Sequence, residues 1–237
     1  MSRQQEVKDR GRRTAGEDAR ARLLAGLPVT ERREQLAGVS TAVLEGGDGP
    51  PIVFLQGEFA AVWMRVIPEL VTTHRVIAPD LPGLGASEVS DGPPDADAVL
   101  KWLDELIEQT CAIPPVLVGK GPGGALAARF AIEHSDRIDR VVLVDTHGLA
   151  RFRPPPGMAL SFLGDLDRIA VPTTLIWGRH DLGVRLGVAE AASAGYGWPL
   201  PVIENARDDP AIEQPEAFLE ALRTALDVTQ PDQAVRR

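Results

Sequence analysis

The run Val116-Leu117-Val118-Gly119-Lys120-Gly121-Pro122-Gly123-Gly124 is where this chain concentrates the geometry of catalysis. A short apolar run enters a glycine-rich turn, and an alanine-rich helix, Ala125 to Glu133, leaves it. That strand–turn–helix context suits a G-x-S-x-G elbow, which holds a nucleophilic serine at the tip of a strained turn. Here the tip is Gly121, which has no side chain to attack a carbon. The next residue, Pro122, has no backbone N–H, although that position donates to the oxyanion formed in acyl transfer. Lys120, beside the tip, is suited to bind an anionic group or, when desolvated, to act as a base or imine former; packing along the strands with its ammonium in water is the plainer reading. As a phosphate loop the segment lacks the Gly-Lys-Ser/Thr ending. Gly119, Gly121 and Gly124 match G-x-G-x-x-G in spacing, but they follow a late strand, and Pro122 obstructs an amide cradle.

Alternating elements must position this turn. Glu34 to Val39 and Thr41 to Leu44 read as an antiparallel opening pair joined near Gly38. Ile52-Val53-Phe54-Leu55 is a continuous apolar run, as expected of a strand buried on both faces. Ala60 to Val71 has helical period, Val76 to Ala78 is a strand, and Asp95 to Gln109 is an amphipathic helix. Further strands are expected at Val116 to Val118, Val141 to Val144, Thr173 to Trp177 and Leu200 to Ile203. Helices are expected at Ala125 to His134, Leu186 to Ala194 and Pro215 to Leu226. Strands alternating with helices predict a parallel sheet covered on both faces, with functional residues in the loops at the strands' C-terminal ends.

Composition narrows the classes. The net charge of −9 over 237 residues argues against a nucleic-acid-binding surface. Residues 1–22 reverse the balance at +3, which leaves −12 on the remainder; this basic arm is expected to be frayed or helical and solvated. Cys111 is the only cysteine, so an intrachain disulfide and a Cys-rich metal site are excluded. With no apolar run of membrane-spanning length and no signal-like N-terminus, the expectation is a cytoplasmic protein without a membrane span.

The region from Arg32 to Leu226 resembles the α/β-hydrolase fold family, as found in small esterases, epoxide hydrolases and carbon–carbon bond hydrolases. Phe54-Leu55-Gln56-Gly57 stands where the family has a strand ending in His-Gly, the start of the oxyanion loop. His74 to Ser87, with Asp80-Leu81-Pro82-Gly83-Leu84-Gly85, is similar to the next strand and its Asp-x-x-Gly-x-Gly-x-Ser loop. Val118 to Gly124 is the elbow, Val171 to Asp181 resembles the strand delivering the acid, and Glu213 to Phe218 resembles the helix after the histidine loop. The resemblance implies a mostly parallel sheet with helices on both faces. It implies a domain over residues 31–228, after an arm at 1–30 and before a polar tail at 229–237. Thr146 to Ala170 leaves room only for a much reduced cap with one short helix around Met158 to Leu163.

Carried over residue by residue, the family's roles fall on Gly121 as nucleophile position, Asp181 as retained acid and Asp208 as base position. A serine triad needs an imidazole to take and return the hydroxyl proton, and Arg207-Asp208-Asp209-Pro210 offers none. Gln56, Gly57, Glu58 and Phe59 form the implied oxyanion loop, with Lys120 and Pro122 opposite. The expectation is a degenerate hydrolase site: a pseudoenzyme or ligand-binding module without metal or cofactor, taking a small organic ligand. An alternative is lyase or proton-transfer chemistry by Asp181, Asp208 or Lys120. If Asp181 and Asp208 meet, one carboxyl pKa rises; the plainer reading solvates each or pairs it with Arg179 or Arg207. Asp181 could also cap the following helix or pair with Arg185. His147 and His180 lie at the functional edge but outside the family's base position. A short cap would expose apolar surface suited to self-association.

Overall fold

A computed structural model of the chain describes residues 18–56, 60–90, 92–149 and 166–227. Among the described residues, nine strands form one mostly parallel sheet: β1 (Thr30–Leu36), β2 (Val39–Gly46), β3 (Pro51–Leu55), β4 (Arg75–Pro79), β5 (Glu88–Val89), β6 (Val116–Lys120), β7 (Arg140–Val144), β8 (Thr173–Gly178) and β9 (Val202–Ile203). Their spatial order is β1-β2-β4-β3-β6-β7-β8-β9, with β5 paired to β2. The β1–β2 and β2–β4 pairs are antiparallel, and every pair from β4–β3 to β8–β9 is parallel.

The opening hairpin turns at Ala37-Gly38, both at positive φ (46° and 82°), as a two-residue loop matched to strand twist requires. The expected strands at Glu34–Val39 and Thr41–Leu44 are corrected accordingly. β1 begins at Thr30 because its charged alternation faces solvent on a sheet edge and carries little apolar signal.

Residues of β3, β4, β6, β7 and β8 alternate between two apolar layers, which is why these strands read as unbroken apolar runs. On one face, Val53, Leu55, Leu117, Val141, Leu143 and Trp177 pack against helices α1 (Ala96–Thr110), α2 (Pro122–Glu133) and α3 (Leu186–Tyr196). On the other, Ile52, Phe54, Val118 and Val144 pack with Trp63 and helix α4 (Pro215–Asp227), whose Phe218 completes an aromatic row. Ring centroids there are 4.7 Å apart for Phe54–Trp63 and 5.9 Å for Trp63–Phe218. α1 starts where the Asp95 carboxylate accepts a hydrogen bond from Ala98 N (2.9 Å). α3 ends at Gly197 in the left-handed region (φ 71°).

Several boundaries differ from the sequence expectations. Ala60 to Val71 is not one helix: a 3₁₀ turn at Ala60–Trp63 is followed by a separate turn at Ile67–Leu70. Pro68 cannot continue an upstream helix, but suits the first turn of a new one. α2 begins at Pro122 rather than Ala125 for the same reason, and β9 is two residues rather than four. β5 and the short helix Pro210–Glu213 carry too few residues for any periodic pattern to reveal them. At the N-terminal side, residues 18–24 are helical, and Arg20 Nη1 reaches the buried Asp80 carboxylate at 2.7 Å. The predicted cap helix at Met158–Leu163, the tail at 229–237 and most of the arm at 1–30 lie outside the described residues.

Candidate functional site

The turn after β6 has the backbone of a strained elbow. Gly121 sits at φ 51°, ψ −119°, a conformation costly for residues with a Cβ. Its N–H donates to Val144 O (3.1 Å), and its carbonyl accepts from Ala125 N and His147 N (3.2 Å each). The neighbouring glycines are set by close approach. A Cβ on Gly119 would lie 2.5 Å from Gly123 O, one on Gly123 would collide with the Leu55 carbonyl, and one on Gly124 would meet the Thr146 hydroxyl. These contacts let the first turn of α2 sit directly on the ends of β3 and β6. Gly121 differs: among the described residues beyond its chain neighbours, the nearest atom to a Cβ there is His147 Nε2, at 4.0 Å. Pro122 occupies the first turn of α2 and supplies no N–H. Gln56 is half-buried at the end of β3, and Gly57, Glu58 and Phe59 lie outside the described residues.

Two loops bring the other candidates together. Asp181, in the loop after β8, is buried, and its Oδ1 accepts from Gly183 N (2.7 Å) and Val184 N (2.8 Å). Asp208 Oδ1 accepts from Leu182 N and Gly183 N (2.9 Å each), so both carboxyl groups grip one turn. Burial first, and contact with Asp208 second, raise the Asp181 carboxyl from 3.8 to about 6. Contact with Asp181 is the main cause holding Asp208 below its ordinary value. A proton residing on Asp181 and donated to the Asp208 carboxylate accounts for both directions.

Sequence reasoning missed the third member, Asp145, which directly follows β7 at φ 40°. It is buried, its Oδ1 accepts from Gly178 N (2.9 Å), and burial, with Asp181 alongside, pushes its carboxyl well above the ordinary range. Asp145 Oδ2 and Asp181 Oδ2 accept no hydrogen bond from any donor among the described residues, as suits carboxyls that retain protons. The available signal was an aspartate closing a run of buried apolar residues.

Among the described residues no ion pair joins Asp181 or Asp208 to an arginine, the pairing offered as one plainer reading; Arg179 pairs with Glu204 instead. Nor does Lys120 extend freely to water. It is largely buried, and its Nζ meets Asp209 Oδ1 at 2.8 Å, linking the elbow to the 207–210 loop. The Lys120 ammonium helps lower Asp208 and works against the rise at Asp145. His147 is half-buried, and burial, then Lys120, lower its pKa so that the ring is neutral at neutral pH. His180 is exposed. Among the described residues, no three His, Cys, Asp or Glu side chains are arranged to hold a metal ion. Nor is any helix there long and apolar enough to cross a membrane. The described residues thus gather three carboxyl groups with shifted pKa values, a tethered ammonium and a neutral imidazole near a turn whose tip is a glycine.

A family model for the alpha/beta hydrolase fold matches residues 50–163. The 2-hydroxymuconate semialdehyde hydrolase of Pseudomonas sp. (strain CF600) is 34% identical over 132 residues, covering 52% of this chain and 46% of that protein. The chain thus spans about half the length of the first curated relatives it matches. The haloalkane dehalogenase of Mycobacterium marinum is 28% identical over 231 residues, covering 86% of this chain and 77% of that one. Among solved structures, a membrane phospholipase A described as a bacterial virulence factor superposes with a TM-score of 0.76 at 20% identity, covering 90% of this chain and 91% of its own.

Proposed function

We propose that this chain, which has the α/β-hydrolase fold, performs no serine-type acyl transfer and uses the site to bind a small organic ligand. One observation carries the reading. Gly121 keeps the elbow's strained backbone while presenting no nucleophile, with a proline at the adjacent donor position. Loss of the nucleophile alone costs a serine hydrolase about 10⁶ in kcat. Loss of one oxyanion donor costs on the order of 3–4 kcal/mol more. The base position adds nothing back, because Asp208 is ionised and already engaged by two backbone N–H groups.

A panel of short-chain p-nitrophenyl esters tests this. The expected rate with the purified chain matches that of its Asp181→Ala variant and does not saturate with substrate. Saturable turnover abolished by Asp181→Ala would overturn the proposal.

The Asp181–Asp208 pair supports a second reading, acid–base chemistry on a small organic substrate. A carboxyl brought to about 6 is well matched to proton transfer near neutrality, and Lys120 would hold an anionic group in exchange for Asp209. Deuterium uptake by a small β-diketone, followed by proton NMR, tests it: exchange equal in the chain and in Asp181→Asn rules it out. Self-association is a further proposal, through apolar surface such as Leu182, which is 78% exposed beside Asp181. Sedimentation equilibrium of the chain and of Leu182→Lys decides it.

A further inference from the structure

His147 has no part in the roles carried over from the family, yet it is the side chain that meets the empty tip of the elbow. We propose that the space over Gly121 is a subsite for a protic group of the ligand, an alcohol or enol hydroxyl or a water in its place, and that His147 Nε2 accepts its proton. This rests on the reading that the elbow receives a ligand group instead of carrying a nucleophile.

Three observations converge on it. First, the space is real. Where a Cβ on Gly119, Gly123 or Gly124 would collide with backbone or with Thr146, one on Gly121 meets no atom of the described residues beyond its chain neighbours nearer than His147 Nε2 at 4.0 Å. An oxygen one bond beyond that Cβ comes within hydrogen-bond reach, about 2.6–3.2 Å. Second, the histidine is held to the elbow: His147 N donates to Gly121 O (3.2 Å), so the imidazole and the tip are positioned by one backbone contact. Third, the imidazole suits an acceptor. It is half-buried, and Lys120, on the strand that feeds the elbow, faces it with an ammonium already paired to Asp209. A neutral imidazole keeps a lone pair on one ring nitrogen, and that nitrogen can accept a hydrogen bond from a hydroxyl. In the full proton transfer the hydroxyl O–H breaks, the Nε2–H bond forms, and the resulting oxyanion pairs with the imidazolium so made. The reverse transfer restores the neutral pair.

A tethered thiol probes the subsite without any knowledge of the ligand. In a Cys111→Ala background, Gly121→Cys places a sulfur in this space, and its alkylation by iodoacetamide is followed by mass spectrometry against pH. The thiolate is favoured if His147 takes the proton, so alkylation at pH 6.5 is expected to be about tenfold faster with His147 than with His147→Gln. The helix N-terminus and Lys120 also favour a thiolate, but they are common to both proteins. Equal rates would overturn the proposal. If the introduced thiol prevents folding, Gly121→Ser serves instead, with the His147 ring titrated by NMR. A change in its midpoint relative to the natural chain supports the contact, and an unchanged midpoint refutes it. Ester turnover by the natural chain would defeat the binding reading while leaving the thiol result interpretable, so the two failures are distinguishable.

Discussion

Asp181→Asn should stabilise this protein in alkaline solution and do little in acid. The reasoning starts from the buried carboxyl, which burial and the contact with Asp208 move from 3.8 to about 6. A carboxyl whose pKa is higher folded than unfolded binds its proton more tightly in the native state. Its stabilising contribution is therefore complete below the unfolded value and is lost as pH rises through the folded value, over about pH 4 to 6. At about 1.4 kcal/mol per pH unit, full loss amounts to on the order of 3 kcal/mol. That is a ceiling, because the lowered pKa of Asp208 works in the opposite direction. Asparagine reproduces the protonated state: its oxygen can accept from Gly183 N and Val184 N as Asp181 Oδ1 does, and its amide can donate to Asp208. Urea unfolding of both proteins between about pH 4 and pH 8 measures the effect. The variant's advantage is expected to grow by on the order of 2–3 kcal/mol across that range. A difference independent of pH, or a variant less stable at pH 8, would refute the shared proton.

The glycines of the elbow separate into two kinds. Gly123→Ala, whose Cβ would strike the Leu55 carbonyl, should lower the melting temperature sharply or prevent soluble expression, while Gly121→Ala should cost only about 1–2 kcal/mol of strain from its positive φ. Lys120→Met removes the ammonium that helps hold His147 low, so the His147 ring midpoint should rise in an NMR titration; a fall would contradict the assigned cause. Arg20→Ala breaks the contact from the 18–24 helix to the buried Asp80 carboxylate and should reduce unfolding free energy by about 1–3 kcal/mol, read by urea denaturation.

The sheet was legible because β3, β4, β6, β7 and β8 are buried on both faces and write themselves as apolar runs. β1 was misplaced because an edge strand of alternating charge looks like a loop, and the Ala60–Val71 segment because helical periodicity does not register a break at Pro68. At the site, positions 121, 122, 181 and 208 were marked out by the resemblance to the α/β-hydrolase family. What they contact was not. The Asp181–Asp208 proton, the third carboxyl of Asp145 and the Lys120–Asp209 pair each arise where loops far apart in sequence meet at the sheet's C-terminal edge. Nor does sequence reveal that a side chain at Gly121 would face His147, because that depends on the space left by the turn.

The most direct test of the absent nucleophile is covalent. The purified chain is incubated with a fluorophosphonate, which phosphonylates activated serines, and its intact mass is measured beside an active serine hydrolase. The account predicts complete modification of the reference enzyme and no added mass on this chain. A stoichiometric adduct on this chain would contradict it.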